Sequence, residues 1–357
     1  MLLLEIISAV AALCGVAYQA LCIAAALSFR RQRPQPPDFS PPVTVLKPLR
    51  GADPHAYDCF RSHCVQNYPE YEVLFGVNGP NDSAAPIVER LAREFPNVRL
   101  LVCPEIIGPN RKVGTLAQMI KSAHYDHFVI NDSDILVSPD YLSEVVPPLG
   151  DKKVGLVTSL YRGVPGGSIW STIEALGIVE FAASVLLAYR GNFHYGFGST
   201  LALSRGTLDA IGGIQQFAPY LADDYQLATA VAASGKNVVL APRPVATVLP
   251  DYSFAQFWGH QLRWARTVRD ANPAGYFGFV LTFGVLWSLV AVIASRGAAW
   301  AWALLALNIV LRILLNVTVG RSVLEERNSS HILLLPLRIV LEPVVWAASW
   351  QIGRAHV

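Results

Sequence analysis

The chain has 357 residues, 53% of them hydrophobic and 15% charged, with a formal net charge of +2 and a mean hydropathy of +0.38. So apolar a composition excludes an ordinary soluble enzyme and points to membrane spans attached to a water-soluble part. No basic stripe of the kind that binds nucleic acid is present, so no nucleic-acid partner is expected.

Leu2 to Phe29 is nearly all apolar and exceeds the roughly 20 residues that cross a bilayer. No Lys or Arg precedes it, unlike a secretory leader, whereas Arg30, Arg31 and Arg33 follow. The positive-inside bias then places the following region in the cytoplasm. Residues 1–33 are thus expected to form a transmembrane helix. Residues 34–42, rich in proline, read as a stiff linker.

A soluble α/β region is expected over 43–272. Strand-like runs fall at 43–46, 71–77, 98–102, 128–130 and 154–158, and helix-like runs at 57–66, 84–95 and 113–122. This alternation predicts a mostly parallel sheet with right-handed crossovers. No GxGxxG or GxxxxGK[ST] loop supports a dinucleotide or P-loop site.

The run Phe128-Val-Ile-Asn-Asp-Ser-Asp-Ile135 ends a strand on two carboxylates. In an extended chain, residues two apart share a side, so Asp132 and Asp134 could face one hard cation, Mg²⁺ or Mn²⁺. Ligands of open α/β sheets bind at such strand ends. An ordinary capped turn is the alternative.

Residues 169–189 are apolar but carry Glu174 and Glu180, which favours a buried or interfacial helix over a span. The Gly-rich stretch 193–203 allows close backbone approach to a ligand, or a tight turn between strands. Asp223 and Asp224 open a helix, where free N–H groups stabilise carboxylates. Simple capping is the plain reading, and it is the one favoured for Asp223. Strands are expected at 238–241 and 245–249. A helix over 253–269 carries His260, Arg263, Trp264 and Arg266, and its aromatics suggest a membrane surface.

Residues 273–351 hold three apolar segments, at about 276–295, 298–319 and 332–351. Arg338 and Glu342 are four apart and could pair on one helix face. Pro336 and Pro343 leave the last segment open to span or re-enter, giving two to three C-terminal transmembrane helices. Residues 352–357 read as translated sequencing adapter, a non-native tail. The five cysteines show no CxxC spacing and read as reduced thiols. A zinc site at Cys59, His63 and Cys64 lacks an obvious fourth ligand.

Leu46-Lys-Pro-Leu-Arg-Gly-Ala-Asp53, Asn67-Tyr-Pro-Glu-Tyr-Glu-Val-Leu74, Asn131-Asp-Ser-Asp134, Ala222-Asp-Asp-Tyr225 and Arg263-Trp264 form a set. Together they resemble a family-2-type glycosyltransferase of the ceramide glucosyltransferase-like branch, which includes bacterial hopanoid-associated enzymes. The resemblance covers almost the whole chain. It implies a GT-A type (Rossmann-like) domain over 43–272 and a UDP-sugar donor. Asp82 then matches the aspartate at the uracil end, Asp132 the one near sugar and metal, and Asp134 completes a metal-binding pair. Asp224 matches the general base. Pro48 and Lys112 fall near the nucleotide sugar, and Lys112 could reach the diphosphate. Arg263 and Trp264 match the end of the (Gln/Arg)-x-x-Arg-Trp motif, whose first position is His260 here. That departure counts against a processive polysaccharide synthase.

The expected activity is inverting transfer of a sugar from a UDP-sugar to a lipid hydroxyl at the membrane. The partners are the bilayer and a lipid acceptor, and no protein partner is expected. Alternatives are N-acetylglucosamine transfer to a hopanoid, a polysaccharide synthase, and a non-enzymatic membrane transporter or scaffold. The short loops suggest a bacterial inner membrane.

Overall fold

The computed structural model describes residues 2–31, 38–53, 55–191, 195–326 and 330–351. The first part of the expected linker, the start of the Gly-rich stretch and the tail at 352–357 lie outside them. In chain order the elements are α1 (Leu2–Arg31), β1 (Val43–Pro48), α2 (Ala56–Cys64), β2 (Tyr71–Val77), α3 (Ala85–Glu94), β3 (Val98–Val102), α4 (Arg111–Lys121), β4 (His127–Ile130) and β5 (Ile135–Leu136). Next come α5 (Tyr141–Val145), β6 (Val154–Thr158), β7 (Tyr161–Val164), α6 (Ile169–Arg190), β8 (Leu201–Ser204), α7 (Arg205–Ala210), α8 (Asp223–Ala233), β9 (Asn237–Leu240) and β10 (Val245–Val248). The chain closes with α9 (Phe254–Ala271), α10 (Pro273–Gly278), α11 (Gly284–Ala294), α12 (Ala299–Ser322) and α13 (Leu335–Ser349).

Two compact units result. One contains every strand with α2–α5, α7 and α8; the other contains α1, α6 and α9–α13. Helices α6 and α9, which lie within 43–272 by number, thus group with the apolar helices. The reason is compositional: α6 is nearly all apolar, like the helices it joins.

In the strand unit the main sheet has the order β3-β2-β1-β4-β8-β6-β9. β1 is parallel to both β2 and β4, placing Val45 opposite Val73 and Val129. β8 runs antiparallel between β4 and β6, so the sheet is mixed but mostly parallel. β1 is buried along its whole length, as a central strand covered on both faces must be. Its alternate residues divide two cores. Val43 and Val45 join Phe75, Phe60 and Leu91 on one face, whereas Leu46 joins Leu74, Phe128, Leu116 and Leu227 on the other. β10 leaves this sheet and joins β5 and β7 in a small one.

Among the described residues, the helix unit has four helices long and apolar enough to cross a membrane, α6 among them, or five if a bent pair counts as one span. α6 is also the most buried of the four, in keeping with its two glutamates. The segment at 276–295, expected as one helix, is that bent pair, with a 52° break between residues 273–282 and 284–294. Glycines 275, 278 and 284 weaken the helix there, and the indole Nε1 of Trp287 donates to the carbonyl of Val280 across the break. The expected Arg338–Glu342 pair within α13 does not form. Glu342 pairs with Arg312 of α12, while Arg338 reaches Glu180 of α6. Side chains between apolar helices find the opposite charge on a neighbour, where burial strengthens the attraction. At α1, α11 and α12, Gln19 donates to Asn308 (2.9 Å), which donates to Ser288 (2.9 Å).

Candidate functional site

Asp132 follows β4 on the carboxyl edge of the main sheet. The chain does not stay extended there. Ser133 and Asp134 form a turn closed by the Ile135 N–H on the Asp132 carbonyl (3.4 Å), and the two carboxylates bond different partners. Lys112 Nζ lies 2.7 Å from Asp132 Oδ1, whereas Asp134 accepts the Thr247 hydroxyl of β10. Alternation along an extended chain is therefore not what positions these two carboxylates; a turn is. Burial, then the neighbouring Asp132, raises the pKa of Asp134 above the usual carboxylate range.

Gly198 ties this turn to the third carboxylate. Its carbonyl accepts the Asp132 N–H (2.9 Å), and its own N–H donates to Asp224 Oδ2 (2.8 Å). A Cβ on Gly198 would collide with the Asp132 carboxylate and approach Lys112 Nζ to 2.9 Å. The close backbone approach expected of the Gly-rich stretch is therefore made to the site's own side chains. Asp224 Oδ1 also accepts the Tyr225 N–H (2.8 Å). Burial, then the adjacent Asp223, pushes Asp224 up to about 6, against the pull of Lys112.

Asp223 is more than a cap. It makes no capping bond; it accepts Asn110 Nδ2 (3.1 Å) and lies 3.4 Å from Lys112 Nζ. Burial pulls Lys112 down, but Asp132, Asp223 and Asp224 outweigh it and raise its pKa above the ordinary lysine value. Asn110, the cap of α4, holds that helix start in place through Val113 N–H and the Tyr220 carbonyl.

Beneath the turn lies a group that the sequence reading passed over. Lys47, in β1, is fully buried and donates to the Asp132 carbonyl (2.8 Å). Burial lowers its pKa to about 8, against the pull of Cys59, Asp134 and Asp132. Beside it, His63 Nδ1 donates to the Cys59 carbonyl (2.9 Å). A carbonyl only accepts, so Nδ1 carries the proton and Nε2 turns its lone pair to Lys47 Nζ, 3.5 Å away. Burial, then Lys47, holds His63 well below its ordinary value, so the ring stays neutral. A lysine inside an apolar strand was the available signal.

Asp82 sits beyond β2 and accepts N–H groups from Gly51 (3.0 Å) and Ala84 (2.9 Å), joining the loops after β1 and β2. Pro48 ends β1 and is buried. His260, Arg263 and Trp264 belong to the other unit, on α9, which starts at the Ser253–Gln256 capping box. There His260 Nδ1 lies 2.8 Å from the buried Glu174, and its ring stacks on Tyr252 at 5.6 Å. Arg263 and Trp264 are exposed.

Among the described residues, no three His, Cys, Asp or Glu side chains gather round a metal position. The strand-unit site still fits a divalent ion. Four carboxylates (Asp132, Asp134, Asp223, Asp224) face two ammonium groups (Lys47, Lys112), a surplus of negative charge. Asp132 is 41% exposed and so open to a ligand. One or two carboxylates completed by substrate phosphates is a usual way to hold Mg²⁺.

The model of glycosyl transferase family 21 matches residues 7–354. Ceramide glucosyltransferase 1 of Caenorhabditis elegans is 26% identical over 238 residues, covering 65% of this chain and 51% of its own length. The ceramide glucosyltransferase of Komagataella phaffii is 34% identical over 128 residues, covering 34% of this chain and 25% of its own. The chain therefore spans about half the length of the nematode relative that it matches. Among solved structures, the mannosyltransferase PcManGT from Pyrobaculum calidifontis, in complex with GDP-Man and Mn²⁺, covers 98% of this chain and 100% of its own, at a TM-score of 0.60 and 20% identity. That likeness is one of fold, an α/β glycosyltransferase fold with apolar helices.

Proposed function

We propose, from the premise that this chain belongs to glycosyl transferase family 21, that it is a membrane-bound inverting glycosyltransferase moving a sugar from a UDP-sugar to a lipid hydroxyl. The Gly198 peptide carries this reading. It bonds both the Asp132 backbone and the Asp224 carboxylate, so a base sits beside a cation-binding acidic turn. An alcohol is a poor nucleophile until its proton leaves. Asp224, pushed up to about 6, is matched to taking that proton near neutral pH. Its two backbone N–H partners fix the carboxylate before the acceptor arrives.

The leaving group is a diphosphate whose charge grows as the sugar departs. A divalent cation, Mg²⁺ or Mn²⁺, held by Asp132 and Asp134 would supply Lewis-acid stabilisation of that charge. Lys112 would exchange its carboxylate partners for phosphate oxygens, donating charge-assisted hydrogen bonds. Asp82 and Pro48, at adjoining strand ends, would receive the uridine. His260, Arg263 and Trp264, which match the family motif, would also bind the nucleotide sugar. A single displacement with one base inverts the anomeric carbon.

Ceramide glucosyltransferase relatives support a lipid acceptor, and so do the apolar helices of a chain that can stay beside its substrate. The basic last turn of α1 supports a cytoplasmic site, by the positive-inside bias. A bacterial inner membrane remains part of this reading, although the relatives named above come from a nematode and a yeast.

The test is transfer from radiolabelled UDP-glucose and UDP-N-acetylglucosamine in detergent with Mn²⁺, offering ceramide, diacylglycerol and a hopanoid polyol in parallel. A labelled lipid that disappears with Asp224→Asn is the expected result. Failure of the wild-type protein to bind any UDP-sugar would overturn the reading.

A further inference from the structure

The parallel ladder between β1 and β4 ends where the Asn131 N–H donates to the Leu46 carbonyl (3.1 Å). One residue further along both strands, a side chain takes over from the backbone, and Lys47 Nζ donates to the Asp132 carbonyl at 2.8 Å. This bond falls on the main chain of a residue whose carboxylate is 41% exposed. Lys112, by contrast, pairs with that carboxylate itself, where a cation would compete with it. Lys47 fixes the turn and leaves the carboxylate oxygens free.

Lys47 is held in turn by α2. Cys59, Ser62 and His63 are three and four residues apart and so share one face of that helix. Cys59 Sγ donates to the Asp134 carbonyl (3.5 Å), and the Ser62 hydroxyl accepts the Val137 N–H (3.2 Å). His63 offers Nε2 to Lys47 Nζ (3.5 Å), because its Nδ1 proton is committed to the Cys59 carbonyl. Cys59 and His63, which the sequence leaves short of a zinc set, thus bond the acidic turn and its lysine. Lys47 and His63 are both fully buried. An ammonium in that position costs free energy that an apolar side chain of similar size would not, unless its bonds offset it.

We propose that Lys47 is a positioning residue of the transferase reaction: supported by His63, it holds the main chain of the Asp132–Asp134 turn so that the carboxylates are set for a divalent cation and the donor diphosphate. This rests on the transferase reading above, and every residue involved belongs to the strand unit. Groups that stand behind metal ligands in this way act on affinity for the ion as well as on rate.

The experiment uses the full-length protein in detergent with MnCl₂ and UDP. Bound Mn²⁺ is read from the loss of the free ion's electron paramagnetic resonance signal, alongside kcat and the thermal midpoint. Lys47→Met removes the ammonium at similar volume, and the sign of its effect separates two roles. A lysine that only balanced charge would leave the carboxylates more negative when lost, and Mn²⁺ would bind more tightly. A lysine that positions the turn should, when lost, lower both Mn²⁺ affinity and kcat by between about tenfold and a hundredfold, which is the expected result. His63→Leu and His63→Gln leave the net charge unchanged and decide the matter even where Lys47→Met does not fold. His63→Leu, which offers Lys47 no acceptor, should give a smaller loss of the same kind. His63→Gln, which restores an acceptor oxygen, should recover most of it. Mn²⁺ affinity at or above the wild-type value in Lys47→Met or His63→Leu, or a His63→Leu loss that His63→Gln does not recover, would overturn the positioning role alone. A wild-type protein that binds neither Mn²⁺ nor UDP would overturn the functional reading itself, and the positioning role with it.

Discussion

The two units treat charge in opposite ways. In the helix unit, Glu180 and Glu342 are matched by Arg312 and Arg338, and the bonds run between side chains of different helices. In the strand unit, four carboxylates crowd two ammonium groups, and much of the bonding runs to backbone N–H and C=O groups at strand ends. A neutral buried network holds helices in place. An acidic surplus on rigid loops is unfinished until a cation or an incoming proton meets it. The first arrangement fixes helix register, and the second leaves carboxylates open to a ligand.

The sharpest way to break this comparison is Asp224→Asn. If the strand unit does the chemistry, turnover should fall by about 10² to 10⁴ while UDP binding, read by calorimetry, changes little. Next is Arg312→Met, which leaves Glu180 and Glu342 without their shared partner. Stranding buried carboxylates should cost about 3–5 kcal/mol and sharply lower the melting temperature in detergent. Asp134→Asn is the contrast. Burial already favours the neutral form of Asp134, so this variant should leave the melting temperature unchanged or raised while transfer falls. Equal melting losses in both variants would erase the distinction between the units. Gly198→Ala comes third. Its Cβ would push into Asp132 and Lys112, and a loss of roughly tenfold to a hundredfold in kcat is expected from the displaced turn.

Much of this was legible in the sequence where apolar periodicity carries the signal. β1 to β4 and the helices between them fall near their expected positions, because each buried strand is a short apolar run bounded by turn residues. Asp224 stood out by the resemblance of Ala222-Asp-Asp-Tyr225 to the family pattern, because a helix start alone suggests only a cap. Other features depend on partners far along the chain. Asp223 looked like a cap because its bond to Asn110 spans 113 positions. Arg338 and Glu342 looked like a pair because spacing on one helix is readable, whereas Arg312 and Glu180, which win them, lie on other helices. The turn that carries Asp132 and Asp134 also takes bonds from Lys47, to the Asp132 carbonyl, and from Thr247, to the Asp134 carboxylate, two more distant groups. Lys47 itself was visible as a charge in an apolar strand, but its target was not.

The smallest effect expected is a shift in pH dependence, and it isolates the acidic surplus itself. Asp224 acts as a base only when ionised, so kcat should be full above its pKa of about 6 and fall about tenfold per pH unit below it. Lys112 favours the ionised form and Asp223 opposes it. Lys112→Met should therefore raise the pKa and move the acid limb to higher pH, whereas Asp223→Asn should lower it and move the limb the other way. Each displacement should be on the order of one pH unit. Both variants lose absolute rate, so the limb is read from kcat normalised to its own plateau. Opposite displacements from two neighbours of opposite charge would identify the titrating group as the carboxylate between them. An unmoved limb in both would mean that another group, outside the Gly198-linked cluster, controls the proton.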